Sequence, residues 1–294
     1  MISKFKDIGR FFRYKRTTRR TVVTVIGARS GTSALTGTLG ILGCTLPKNL
    51  MSANMANEKG YFEPQDLANL HDEILEAVDS EWSDCRPFPF ERLDASQVED
   101  YTQRIACAFQ QNYGDAALCV LKEPRMCRML DLWDIIFQKL DADPVFCFIS
   151  RNPAEIAGSL RARDGSSLEQ GLMYYIRNQL DAEKATRRRR RAFVSYDNLL
   201  SDWRRTVSDI SGSLDIVLSK TQERSEKVDA FLDRKLRHHA GDGAAPSGEL
   251  FDIAMAVHES LFLVTDQKSG LAAQEKLDDL RAIFNERLME YAGK

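Results

Sequence analysis

The chain predicts an α/β fold: a three-layer sandwich with a central parallel sheet flanked by helices, followed by a mainly helical C-terminal part. Three observations carry this. Short apolar runs alternate with helical periodicity between residues 20 and 210, as expected of strands buried on both faces and joined by crossover helices. The first apolar run leads through a glycine-bearing loop straight into a helix. From residue 223 onward the periodicity is almost wholly helical, interrupted by one linker-like stretch, AGDGAAPSG at 240–248.

In chain order, a strand at 22–26 leads to a helix at 32–43. A helix at 65–79 follows a turn-rich loop, and the Pro-rich stretch RPFPF at 86–90 precedes a helix at 96–112. A strand at 117–121, a helix at 126–139 and a strand at 145–149 come next. Helices at 153–163 and 167–187, a strand at 192–195 and a helix at 197–210 complete the α/β part. Pro153 suits a first helical turn, where no N–H is needed. Residues 1–20 form a separate basic segment, with eight Lys/Arg against Asp7 alone, and 21–294 form a single domain with its helical addition from 223.

The chain has 294 residues, 43% of them hydrophobic, and a net charge of −2, enough for one large core. No apolar run approaches the roughly 18 residues that span a bilayer. The basic opening lacks the sustained apolar stretch of a secretory signal, so a cytoplasmic protein is expected. Ile2, Phe5, Ile8, Phe11 and Phe12 partly repeat at helical spacing. That segment could lie on an anionic membrane surface, or pack on the domain as a tail. Cys44, Cys85, Cys107, Cys119, Cys127 and Cys147 contain no Cys-x-x-Cys pair and read as reduced thiols, neither a zinc site nor a disulfide frame.

Chemistry concentrates at 22–35, VVTVIGARSGTSAL. Gly27 and Gly31 permit a tight turn, Thr32 and Ser33 offer hydroxyls, and the unpaired N–H groups of the next helix face the loop: an anion cradle. A tight turn that binds nothing can use the same residues. A Walker A loop is disfavoured, because aligning Gly31 with its second glycine puts Ile26 at the first and Thr32 in place of the lysine. Arg29 supplies instead a bidentate cation that works without a metal. Further on, the strand at 145–149 runs into Ser150-Arg151-Asn152-Pro153, where Arg151 and Ser159 can converge on a second anion.

Here the sequence resembles the sulfotransferase superfamily that uses 3′-phosphoadenosine 5′-phosphosulfate, in particular bacterial members with Arg-Ser-Gly-Thr-Ser loops. The blocks are ARSGTSAL at 28–35, LKEPRM at 121–126, FISRNPAEIAGSLRAR at 148–163 and VSYDNL at 194–199, in order over most of residues 20–200. Glu123 replaces the aspartate of a Lys-Asp-Pro segment. The resemblance implies a P-loop-like sandwich and no metal. Arg29, Ser30, Gly31, Thr32 and Ser33 would hold the 5′-phosphosulfate end, and Arg151 and Ser159 the 3′-phosphate. Tyr196 would border the adenine, with Asp197 and Asn198 departing from the family's Glu-Asp. The family's late Arg-Lys-Gly loop has no clear match. The basic cluster at 234–239 stands in that part of the chain, either as a second cofactor contact or as a solvated helix end.

Sulfuryl transfer needs a base for the acceptor hydroxyl, cations where charge builds, and in-line placement. Arg29 and Lys122 are the candidate cations; Lys122 ends the strand at 117–121, the edge where open α/β sheets place ligands, or it simply pairs with Glu123. NEKGYFEP at 57–64 resembles a stretch of bacterial relatives, and Glu63 is the first candidate base. It could instead stabilise the following helix N-terminus. His71 and Glu58 are the alternatives. The acceptor expected from the resemblance is a carbohydrate or glycolipid hydroxyl, with residues 46–62, 82–95 and 164–175 as lining and Trp82, Phe88, Phe90 and Tyr174 as stacking candidates. The five arginines at 187–191 invite a nucleic-acid reading, but a helix C-terminus favoured by its dipole accounts for them with less, and no nucleic-acid partner is expected. A phosphoryl-transfer enzyme and a non-catalytic nucleotide-binding or assembly protein are the competing functions.

Overall fold

The computed structural model describes residues 19–52, 60–232 and 247–292. These residues carry four parallel strands: β1 (Arg20–Ile26), β2 (Leu118–Lys122), β3 (Ala142–Ser150) and β4 (Arg191–Ser195), in the spatial order β2-β1-β3-β4. The register aligns Val25 with Lys122 on one side of β1 and with Cys147 on the other. Chain order reverses around β1, whose next strand lies to one side and whose second-next lies to the other. The carboxyl ends of β1 and β3 therefore flank a switch point, where an open parallel sheet leaves a crevice.

Alternation along β1 sends Val22 and Ile26 to one face and Val23 and Val25 to the other, and all four are buried. The first face is covered by α2 (Gln65–Ala77), α3 (Ala95–Tyr113) and α4 (Leu130–Lys139); Ile74, Phe109 and Trp133 pack there. The second is covered by α1 (Thr32–Ile41), α8 (Trp203–Leu214) and α9 (Gln222–Phe231), through Leu35, Val207 and Val228. Each such aliphatic side chain contributes about 1.5–3 kcal/mol by leaving water. A third cluster joins α5 (Pro153–Asp164) and α6 (Leu168–Thr186) to α10 (Glu249–Leu261) and α11 (Gly270–Ala292). The mainly helical end of the chain is thus seated on α5 and α6. None of the helices in the described residues is long and apolar enough to cross a membrane.

Some boundaries differ from expectation, each for a local reason. β3 extends back through Pro144, which is tolerated because pairing with β4 begins only at Phe146. The helix expected at 126–139 splits into a 3₁₀ turn, Pro124–Arg128, and α4. The helix expected at 197–210 splits at Asp202 into α7 (Tyr196–Ser201) and α8, because the Asp202 carboxylate accepts from the Arg205 N–H and caps a new start. Capping boxes start α3 (Asp94 with Gln97) and α6 (Ser167 with Gln170) close to the expected positions. All six cysteines are free; Cys44, Cys119, Cys127 and Cys147 are buried, Cys85 is half-buried and Cys107 is exposed. Most of the basic segment at 1–20, Glu58 and the cluster at 234–239 lie outside the described residues.

Candidate functional site

The loop after β1 is built by three left-handed residues: Gly27 at φ 133°, Arg29 at φ 54° and Gly31 at φ 93°. Gly31 is also the N-cap of α1, and no side chain caps that helix. A Cβ on Gly31 would lie 2.1 Å from the Tyr196 ring, so the ring rests on the loop's own backbone and only glycine fits beneath it. Ser30 is fully buried, and its Oγ has no hydrogen-bond partner among the described residues. An uncapped helix N-terminus beside an orphaned buried hydroxyl is a polar environment built to receive acceptor oxygens.

Arg29 leaves this loop and reaches across the switch point, donating to Ser159 Oγ on α5 from Nε at 3.1 Å and from Nη2 at 2.9 Å. Burial first, then the like charges of Arg163 and Arg151, pull its pKa below the ordinary guanidinium value. Positive charge is therefore concentrated here against its own repulsion. Arg151, one residue beyond β3, donates to the Glu155 carbonyl at 3.1 Å, and its guanidinium lies 5.8 Å from the centre of the Tyr196 ring. Asn152 caps α5 through Ala154 N–H, and Pro153 occupies the first turn. Glu155, Ser159 and Arg163 recur every four residues and share one face of α5, and Arg151 stands four residues before Glu155, just ahead of that helix.

On the other side of the loop, Lys122 and Glu63 meet. Lys122 Nζ donates to Glu63 Oε1 at 2.5 Å and to the Tyr61 carbonyl at 2.7 Å, and lies 3.4 Å from Ser33 Oγ in the first turn of α1. Both charged side chains are buried. Lys122 is placed by the end of β2. Glu63 is placed by a bridge between Leu50 and Pro64, by Met51 N–H donating to its carbonyl at 2.8 Å, and by Phe62 in the left-handed region at φ 56°. The cap of α2 is Pro64, with no side-chain hydrogen bond, so the Glu63 carboxylate serves Lys122 and not the helix end. Its second oxygen, Oε2, has no hydrogen-bond partner among the described residues.

His71 sits below this pair, fully buried. Its Nε2 accepts from the Trp133 indole N–H at 3.0 Å, and its Nδ1 is 2.5 Å from Glu123 Oε2. An indole can only donate, so Nε2 carries the lone pair and Nδ1 the proton. No lone pair remains for an acceptor hydroxyl, and His71 is a structural residue here. Glu123 is locked by His71 and by Arg125 Nη1 at 2.5 Å; burial pushes its carboxyl pKa up, and these two partners override that and hold it well below the usual range. Lys122 pairs with Glu63 and not with its neighbour Glu123.

Four of the five arginines at 187–191 are spent on partners within the protein, and Arg188 is exposed. Arg187 and Arg191 both hold buried Glu183, Arg187 also holds Asp278 at 2.7 Å, Arg189 holds Asp134 at 2.8 Å, and Arg190 holds Asp143 and the Leu214 carbonyl. Among the aromatic candidates, Tyr174 is buried edge-on to Trp82 at 5.5 Å, Arg163 lies 4.8 Å over Trp82, and Phe88 and Phe90 pack half-buried on the core. Sequence spacing missed two contacts: Arg29 with Ser159, and Tyr196 on Gly31. Both join segments distant in the chain, and only the glycine hinted at the second.

No family model matches the chain, and no curated protein matches it. Among solved structures, it is similar to a sulfotransferase domain of the olefin synthase of Synechococcus PCC 7002, at 14% identity and TM-score 0.48 over 85% of this chain and 98% of that one. It is similar also to a sulfotransferase domain of the curacin biosynthetic pathway, at 12% identity and TM-score 0.48 over 83% of this chain and 99% of that one. At such distance, the fold and the chemistry of this chain stand on its own sheet order and side chains.

Proposed function

We propose that this protein is a sulfotransferase that moves a sulfuryl group from 3′-phosphoadenosine 5′-phosphosulfate to a hydroxyl of a carbohydrate or glycolipid. The observation that carries the reading is Arg29, buried among like charges between an uncapped helix N-terminus and Ser159, with an ion-paired carboxylate on its other side. The donor's two anionic ends fit the chain. Orphaned Ser30 Oγ and the first turn of α1 suit one end, and Arg151 together with Ser159 of α5 suits the other. When bound, the donor supplies the sulfuryl group, with adenosine 3′,5′-bisphosphate as the leaving group.

The chain's own residues then divide the work. Glu63 Oε2 takes the acceptor hydroxyl proton, while Oε1 stays with Lys122. The Lys122 ammonium and the Arg29 guanidinium stabilise negative charge that grows as the transfer proceeds, at a place where burial strengthens their field. Tyr196, resting on Gly31, borders the nucleoside.

Thermal melting separates this from phosphoryl transfer. Adenosine 3′,5′-bisphosphate without magnesium is expected to raise the Tm, and ATP with magnesium to raise it much less; the reverse order would favour a kinase. Acceptor-dependent release of the bisphosphate, followed over a panel of glycans and glycolipids, distinguishes an enzyme from a silent binder.

A further inference from the structure

A second polar cluster lies at the carboxyl end of β3 and has no part in the chemistry above. Ser150 Oγ is 3.0 Å from Tyr175 OH on α6 and 2.9 Å from His258 Nδ1 on α10; Tyr175 OH is 3.4 Å from the same nitrogen. Ser150 and Tyr175 are buried, whereas His258 is half-buried. Two hydroxyls are thus used to hold one edge of an imidazole. The other edge, Nε2, has no hydrogen-bond partner among the described residues.

This imidazole is brought to the sheet edge by the helical end of the chain, beside the residue that precedes Arg151. Asp197, next to Tyr196, and Glu259 are its acidic neighbours, and Phe262 packs edge-on at 5.2 Å. An anchored ring with an open edge, held at a strand's carboxyl end by the residue that precedes Arg151 in the chain, has the form of a ligand contact rather than of core packing.

Resting on the reading above, we infer that His258 is a further nucleotide-binding residue, which offers its Nε2 edge to the phosphate held at the Arg151 end of the site. Ser150 and Tyr175 are its positioning residues. The contact calls for the tautomer in which Nδ1 accepts from the Ser150 hydroxyl, so that Nε2 bears the proton and donates to a phosphate oxygen.

The test is calorimetric binding of adenosine 3′,5′-bisphosphate and adenosine 5′-monophosphate to the full chain and to His258→Asn. An asparagine amide reaches where Nδ1 stands and keeps the contact with Ser150, but nothing extends to the position of Nε2. A ligand contact therefore predicts about a tenfold loss of bisphosphate affinity in His258→Asn, with the Tm of the free protein little changed and monophosphate affinity unaffected. Wild-type bisphosphate affinity in this variant overturns the inference, as does an equal loss for the monophosphate. If the wild type binds no bisphosphate while folded, the proposed function fails as well; if Arg29→Ala abolishes binding and His258→Asn does not, only this inference fails. A measurement without a variant serves as the second arm: the ¹⁵N resonance of His258 Nε2 in the wild type should move on adding bisphosphate, and an unmoved resonance overturns the inference.

Discussion

The protein has two clusters of arginine, and they differ in how their charge is answered. At 187–191 four of the five guanidinium groups are met by carboxylates: burial works against Arg187, yet Asp278 and Glu183 push its pKa up. At the sheet's carboxyl edge, Arg29 is pulled down by burial and by Arg163 and Arg151. The conspicuous run in the sequence is a clamp joining α6 to β4, α4 and α11; in the dispersed trio Arg163 pairs with Asp164 at 2.7 Å and Arg151 lies 3.8 Å from Glu155, while Arg29 has Ser159 Oγ as its hydrogen-bond partner among the described residues. Local density of charge says little about binding; the balance of charge in space says much.

The comparison can be broken or sharpened by substitution. The largest effect is expected at the Lys122–Glu63 pair. Glu63→Gln should lower transfer by about 10²–10⁴-fold, the range for losing a general base, while bisphosphate affinity stays within a factor of about two. Steady-state rates and calorimetry on one preparation check this; a wild-type rate would remove Glu63 as the base. Next, Arg29→Ala should weaken bisphosphate binding by about a hundredfold or more, the usual cost of truncating one partner of a buried charged contact. Arg189→Ala, in the clamp, should leave binding unchanged. Equal losses in both would erase the distinction between the clusters.

Glu183→Ala leaves Arg187 and Arg191 without their shared buried carboxylate and should cost about 3 kcal/mol of stability in urea unfolding, with bisphosphate affinity unchanged in the folded protein. The smallest effect is expected from mild acid. The pKa of His258 is lowered by burial, so the unfolded chain binds the proton more readily, and stability should fall modestly as pH drops through the ordinary histidine range. His258→Asn should flatten that part of the profile. Glu123 acts lower still: its pKa is held down in the fold, so its contribution is present above the ordinary carboxylate range and is lost as pH falls toward about 2.

Much of the fold was legible because it is local. The four strands, the loop at 27–31 and Pro153 in the first turn of α5 follow from periodicity, glycine and proline. What failed was also local in cause, since a single aspartate capped a new helix at 202 and Pro124 began a tighter turn. Glu63 could be named as a candidate, but its sequence position before a helix suited capping equally well. His71 could be read only as a helix-face residue held in reserve as a base, because the indole that takes up its lone pair lies 62 residues away.

By itself the chain's order of residues determined a glycine-bearing loop that opens a helix at a strand's carboxyl end and a second, arginine-bearing turn after another strand. Both are set within a few residues by backbone geometry and helix termini. Tertiary structure alone decided which partner each charged side chain has: Lys122 with Glu63 across 59 residues and Arg29 with Ser159 across 130. Those pairings depend on the order in which parallel strands are laid side by side, and that order is fixed by burial of the whole sheet rather than by any one segment.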